Sequence, residues 1–169
     1  MTATIRPVGR QDAGPITRLE QDLARTPGGL ASRPHEVIEQ VVAARIAARA
    51  DEHAGGWLVA ESEGLLVGHG VLEPLTLEVT RHVVALTLAV ARPWQGQGVG
   101  STLLRALLSW ARAAPHVEKV ELRVRASNTR AIGLYRKMGF VEEGRFVRRI
   151  KLAPGDYLDD VSMGLWVGP

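Results

Sequence analysis

Val83 to Ala91 is apolar almost throughout, and it runs through Arg92-Pro93-Trp94 into Gln95-Gly96-Gln97-Gly98-Val99-Gly100-Ser101. Immediately afterwards Leu103, Leu104, Leu107, Leu108 and Ala111 recur at helical spacing, until Pro115 stops the pattern. A short apolar run bounded by turn residues predicts a strand buried on both faces. The chain must therefore pass from a buried strand, through a loop with three alternating glycines, directly into a helix. Glycines let backbone N–H groups approach a ligand without a Cβ in the way. The first turn of a helix leaves N–H donors without partners and carries partial positive charge. A phosphate or diphosphate placed at such a junction would be held mostly by backbone; the alternative is a glycine-rich strand-to-helix turn with no ligand.

Two common phosphate motifs fit badly. A dinucleotide fingerprint is G-x-G-x-x-G, and here the third glycine comes one residue early. A Walker loop needs Gly-Lys-Ser/Thr, and Gly100-Ser101 lacks the lysine.

The rest of the chain reads as alternating elements. Thr4–Val8 predicts a first strand, and Asp12 is placed to cap a helix carrying Pro15, Ile16, Leu19 and Leu23. Thr26-Pro27-Gly28-Gly29 breaks that helix into a loop expected to be mobile. Pro34 suits the first turn of a second helix running to about Arg49, with Val37, Ile38, Val41, Val42 and Ile46 as its apolar stripe. Gly55-Gly56 ends that region. Trp57–Ser62 and Leu65–Glu73 predict a hairpin around Glu63-Gly64. Val117–Arg125 predicts a strand, and Asn128 caps a helix to about Met138, ended by Gly139. Phe140–Leu152 and Tyr157–Val167 are the last strands, joined by Ala153-Pro154-Gly155-Asp156. The four tryptophans, Trp57, Trp94, Trp110 and Trp166, are expected in core packing, with Trp94 under the glycine loop.

Composition bounds the function classes. A chain of 169 residues with 46% apolar and 23% charged residues fits one globular domain over 1–169. Lys and Arg number 21 against 18 Asp and Glu, and this small surplus does not predict nucleic-acid binding. There is no cysteine, which excludes disulfides, a Cys-ligated zinc and an acyl-cysteine route, and which fits a cytoplasmic protein. The N-terminus lacks a signal-peptide run, and the longest apolar stretch, Val83 to Ala91, is too short to span a bilayer, so no membrane partner is expected.

The pattern Gln95-x-x-Gly98-x-Gly100, after an apolar strand and before an amphipathic helix, resembles the acetyl-CoA loop of the GNAT superfamily of N-acetyltransferases. Asn128 to Phe140, with an Asn, a helix carrying Tyr135, then Gly139-Phe140, resembles the second signature of that superfamily, in the order it requires. The tail from Gly139 to Arg145, with Gly155 to Asp160, Met163 and the upstream Arg81-His82, is similar to a bacterial subgroup that acetylates small amines, including amino acids and phosphinothricin. The resemblance implies an α/β fold, β-α-α-β-β-β-α-β-α-β-β, with one mixed, mostly antiparallel sheet and helices on both faces. It implies acetyl-CoA as co-substrate, no metal, a small-molecule amine as acceptor, attack through a ternary complex, and a possible homodimer through the last hairpin.

It also implies site roles. Main-chain groups of Leu88, Ala89 and Val90 would hold the pantetheine arm and supply an oxyanion donor. Gln95, Gly96, Gln97, Gly98, Val99, Gly100 and Ser101 would wrap the diphosphate. Asn128 would bond the arm or its carbonyl, and Tyr135 would face the sulfur as the acid for the leaving thiolate.

The general base is not apparent. Related enzymes often carry a carboxylate on the strand before the loop, whereas here it reads Ala85-Leu86-Thr87-Leu88. Glu73, Glu78, His82, Glu20 and His35 are the nearest candidates in sequence. A weak base favours an amine of lower pKa. Near pH 7 an α-amine is roughly 10% neutral, and a lysine amine well under ~0.1%. The expected acceptor is therefore the α-amine of a small amino-acid-like molecule. A peptide or protein N-terminal acetyltransferase with a groove between the Thr26–Pro34 loop and the last hairpin is the alternative, as is a non-catalytic acyl-CoA sensor.

Overall fold

The computed structural model describes residues 3–26, 29–49 and 56–169. Among the described residues seven strands form one mixed sheet with four helices, in the hydrogen-bonded order β1-β2-β3-β4-β5-β7-β6. The strands are β1 (Thr4–Pro7), β2 (Trp57–Ser62), β3 (Leu65–Pro74), β4 (Val83–Val90), β5 (Lys119–Arg125), β6 (Val141–Ala153) and β7 (Asp156–Trp166). The helices are α1 (Ala13–Ala24), α2 (Glu39–Ala47), α3 (Val99–Ala113) and α4 (Thr129–Lys137). The element order predicted for a GNAT fold is the order observed. By internal contacts the chain divides into two compact units. The first comprises residues 1–71 and 87–110, and the second residues 72–86 and 111–169.

In the first unit β1 and β2 pair antiparallel, as do β2 and β3. Their hairpin turns on Glu63 and Gly64, with φ of 51° and 76°. Two successive residues in the left-handed region make the tight turn that matches strand twist. Ala91 N donates to Val67 O at 2.9 Å. That register places Gly68 opposite Val90 and Gly70 opposite Leu88. A Cβ built on Gly68 would lie 3.0 Å from Ala89 O and 3.2 Å from Leu103 Cδ1. One built on Gly70 would lie 2.6 Å from Leu107 Cδ1 and 3.1 Å from Leu88 Cδ1. These two glycines let α3 settle onto the sheet. On the opposite face α1 and α2 bury Ala13, Ile16, Val42 and Ile46 with Trp57, Val59 and Val71, and Leu19 and Leu23 cluster with Ala89. Helices thus cover both faces. Gly70→Ala is expected to cost ~1–3 kcal/mol, because Leu107 is fully buried and has nowhere to move. A urea midpoint unchanged from the parent protein would contradict it.

In the second unit β4 pairs β5 in parallel, from Val83 with Lys119 to Ala85 with Glu121. β7 pairs antiparallel with both β5 and β6. Val120, Leu122 and Val124 of β5 bury one face, as the alternation of Val117–Arg125 predicts.

Three local expectations differ. Asp12 precedes α1, but its side chain makes no hydrogen bond to that helix. It accepts instead from Gly9 N at 2.7 Å and from two nitrogens of Arg6 at 2.7 and 2.8 Å, closing a 3-10 turn over Arg10–Asp12. The second predicted helix is split. Pro34–Glu36 forms a 3-10 turn, and Val37 and Ile38 are extended before α2 begins. Adjacent β-branched residues favour that backbone, and Gln21 Nε2 donates to Val37 O at 2.9 Å. Ile38 and Val41 consequently lie exposed, outside the apolar stripe. Of the tryptophans, Trp57 is buried, but Trp166 is 57% exposed at the end of β7. Its indole meets His82 edge-on at 6.5 Å and donates from Nε1 to Pro169 O at 3.4 Å. Pro27, Gly28 and Gly55 lie outside the described residues.

Candidate active site

The first unit holds the glycine loop. Arg92–Trp94 forms a 3-10 turn, with Trp94 N donating to Ala91 O at 2.8 Å. Gly96 and Gly98 follow with φ of 77° and 88°, and nothing lies within 4 Å of a Cβ built on either. Their glycines are required by backbone conformation, since a left-handed φ costs other residues ~1–2 kcal/mol, and not by crowding from this chain. The amides of Gly96, Gln97, Gly98, Val99, Gly100 and Ser101 make no close, aligned hydrogen bond among the described residues, whereas Thr102 N already bonds Gly98 O at 3.0 Å. Six consecutive open donors at the start of α3, with clear space above the loop, fit a diphosphate.

Both loop glutamines, though exposed, fold back on the main chain. Gln95 Nε2 donates to Val90 O at 2.9 Å, and Gln97 Nε2 to Pro93 O at 2.6 Å. They brace the loop against its own backbone. On the other side Arg92 reaches Thr26 Oγ1 and lies 3.9 Å from Asp22, tying the end of α1 to the loop's first turn.

The register with β3 sorts the strand residues. Antiparallel ladders bond alternate residues. With residue 91 bonded to 67, the main chain of Ala89 faces β3, opposite His69. Leu88 and Val90 turn their amides to the other edge of β4. The Val90 carbonyl is taken by Gln95.

The second unit holds the other two sequence-predicted residues. Asn128 is the N-cap of α4, its Oδ1 accepting from Ala131 N at 3.1 Å. The Nδ2 of that amide is left for other work. Tyr135 is 7% exposed, and its ring packs on Phe140 with centroids 5.7 Å apart. Burial pushes its hydroxyl pKa up to about 12.

One pair was not legible as a pair. His69 on β3 is 1% exposed, and its Nε2 lies 3.1 Å from Glu20 Oε1 on α1. The distance is that of an ion pair, but the alignment is not that of a hydrogen bond, and both ring nitrogens lack an aligned partner. Glu20 stood among the base candidates, but His69 did not. The available signal was Gly68-His69-Gly70, a titratable residue flanked by glycines inside an apolar strand. Among the described residues, no three His, Cys, Asp or Glu side chains gather as a metal site, and no helix is long and apolar enough to cross a membrane.

Known proteins share the family and the fold. The model of the acetyltransferase (GNAT) family matches residues 18–140. The L-amino acid N-acetyltransferase AaaT of Escherichia coli is 32% identical over 106 residues, covering 63% of this chain and 65% of its own. The N-alpha-acetyltransferase RimI of Mycobacterium tuberculosis is 35% identical over 97 residues, covering 57% and 59%. The chain thus spans less than two thirds of the length of either relative. A phosphinothricin acetyltransferase from Sinorhizobium meliloti, solved in complex with acetyl-CoA, has the same fold, with a TM-score of 0.87 over 99% of this chain and 90% of that one at 22% identity.

Proposed function

The chain belongs to the acetyltransferase (GNAT) family, and from that membership we propose that it transfers an acetyl group from acetyl-CoA to the α-amine of a small amino-acid-like acceptor. The observation that carries this reading is the row of six open amides from Gly96 to Ser101 at the head of α3, directly after β4. Gly96 to Ser101 would grip the diphosphate through main-chain N–H groups, helped by the helix dipole. Gln95 and Gln97 hold that loop in shape from behind. The co-substrate supplies an activated acyl thioester.

Leu88 and Val90 offer main-chain N–H groups on the free side of β4, where one can stabilise negative charge developing on the thioester oxygen. Asn128 caps α4 with its oxygen and keeps its NH₂ for an acceptor atom on the arm. Tyr135, with a hydroxyl pKa of about 12, stays protonated at every working pH. An ordinary thiol titrates near ~8.5. Complete proton transfer from this phenol to a thiolate is therefore uphill by roughly 3 units, or about 4–5 kcal/mol. Its role is better drawn as a hydrogen-bond donor to the developing thiolate, with the proton itself coming from the attacking amine.

The names of two relatives support an α-amine acceptor, one being an L-amino acid N-acetyltransferase and the other an N-alpha-acetyltransferase. The second name also favours a peptide N-terminus as an alternative acceptor, since it presents the same kind of amine. A panel separates these readings: free amino acids, short peptides, lysine side-chain amines and spermidine, each with acetyl-CoA and followed by CoA thiol release. Free amino acids are expected to turn over at least tenfold faster than spermidine or a lysine side chain near pH 7. Faster turnover of peptides would select the N-terminal reading, and thiol release with none of the amines would leave an acyl-CoA binding protein.

A further inference from the structure

We propose that Glu20 is the general base of this site and that the buried His69 holds it in place. The proposal rests on the amine acetylation argued above, for which β4 offers no carboxylate.

All the groups involved lie in the first compact unit. His69 stands opposite Ala89 on the neighbouring strand, by the register that Ala91 N to Val67 O sets and that the Gly68 and Gly70 contacts repeat. Its side chain points away from α3, since Gly68 and Gly70 take that face. On the other face Leu19 and Leu23 of α1 pack on Ala89 itself. Glu20, the next residue of α1, reaches His69 at 3.1 Å. The carboxylate is thereby held on the sheet face that Ala89 also lines, at the residue opposite Ala89, between the Leu88 and Val90 whose outward amides are the oxyanion donors of the proposed function. Sequence distance hid this, because Glu20 and His69 meet only in the folded unit.

The energetics set this pair apart from ordinary core packing. A buried polar atom without a hydrogen bond costs ~1–3 kcal/mol. His69 is 1% exposed, with Nδ1 lacking a hydrogen-bond partner and Nε2 set against the Glu20 carboxylate at 3.1 Å, inside a strand that is otherwise apolar at that level. An apolar residue would pack there more cheaply. Glu20, by contrast, keeps 15% of its side chain exposed to solvent. The charged and titratable groups that face His69 are Glu20 from α1 and, beyond the Trp57 ring at 6.2 Å, Arg45 of α2 and Arg49 in the turn after it. The two arginines stack on that indole at 5.1 and 5.5 Å. β4 contributes only Ala89 opposite.

In the reaction Glu20 removes one proton from the acceptor ammonium and later releases it to water. The freed lone pair forms the N–C bond, and the C–S electron pair leaves with sulfur. The second nitrogen proton passes to that sulfur, giving the free thiol. His69 touches no reacting atom. It is a positioning residue that keeps the carboxylate turned toward the strand.

The test measures kcat for an α-amine acceptor against pH in the parent protein, Glu20→Gln and His69→Gln, with acetyl-CoA affinity from calorimetry alongside. Glu20→Gln is expected to lose 10²-fold or more near pH 7, with the acetyl-CoA Kd within twofold of the parent. The loss should narrow as pH climbs toward the amine's own pKa, where the free amine needs no base. His69→Gln should lose about tenfold with the same pH dependence. A Glu20→Gln enzyme within threefold of the parent overturns the proposal, as does a deficit equal at all pH values or one matched by lost acetyl-CoA binding. A readout independent of turnover follows the His69 ring by ¹⁵N NMR with CoA bound. Adding an α-amine is expected to move its signals in the parent and not in Glu20→Gln, and no movement in the parent overturns the proposal. If the parent acetylates no α-amine, the proposed function falls on its own, and the ring signals still decide whether an amine reaches Glu20.

Discussion

Tyr135→Phe is expected to lower kcat by about 10²-fold or more while leaving the acetyl-CoA Kd within twofold. The substitution removes one oxygen and keeps the ring that packs on Phe140, so the fold should persist. What is lost is a hydrogen bond to charge developing on sulfur, an interaction made in the transition state and absent from the ground state. The high pKa sharpens the prediction. Because burial holds the hydroxyl protonated to about 12, Tyr135 should contribute no fall in rate on the alkaline side of an ordinary assay. Thiol release measured from pH 6 to 10 checks both parts. A basic limb below pH 10 that vanishes in Tyr135→Phe would contradict the assigned state, and full activity in the variant would remove Tyr135 from the chemistry.

Asp12→Ala is expected to destabilise the protein by roughly 2–3 kcal/mol, the larger of the two stability effects predicted here. Burial disfavours the charged form of Asp12, but hydrogen bonds from Arg6 and from the Gly9 amide outweigh it and hold the carboxyl below its usual range. Its side chain is 4% exposed, while that of Arg6 is 33% exposed and keeps Glu61 at 2.8 Å. Those two facts put the cost below that of breaking a fully buried pair. The sign of the pH dependence follows from the lowered pKa. The Asp12 contribution is complete above the unfolded value near ~3.9 and is lost as pH falls through the lower folded value. Urea denaturation of both proteins should therefore show a gap that is constant from pH 5 to 7 and closes in more acid solution. A gap that widened in acid would refute the assignment.

Several features of the site were readable because they are local. Gly96 and Gly98 announce left-handed backbone by residue type, and a helix begins where Leu103 and Leu107 start their period. Asn128 ahead of α4, the turn at Glu63-Gly64 and the Gly139 helix stop each depend on a few adjacent residues, so sequence is enough to place them. Other expectations failed where distant contacts outbid local preference. Asp12 gave up its helix cap for Arg6, and Val37 left the helix to bury its side chain and receive Gln21.

By its sequence alone the chain determined the order of its elements and the junction of buried strand, glycine loop and helix, because local backbone conformation is set residue by residue. Only the tertiary structure decided that Leu88 and Val90, and not Ala89, turn their amides away from β3, and that Gln95 and Gln97 brace the loop. It alone brought Glu20 against His69. Strand register and helix docking are collective results of packing, and no short stretch of sequence contains them.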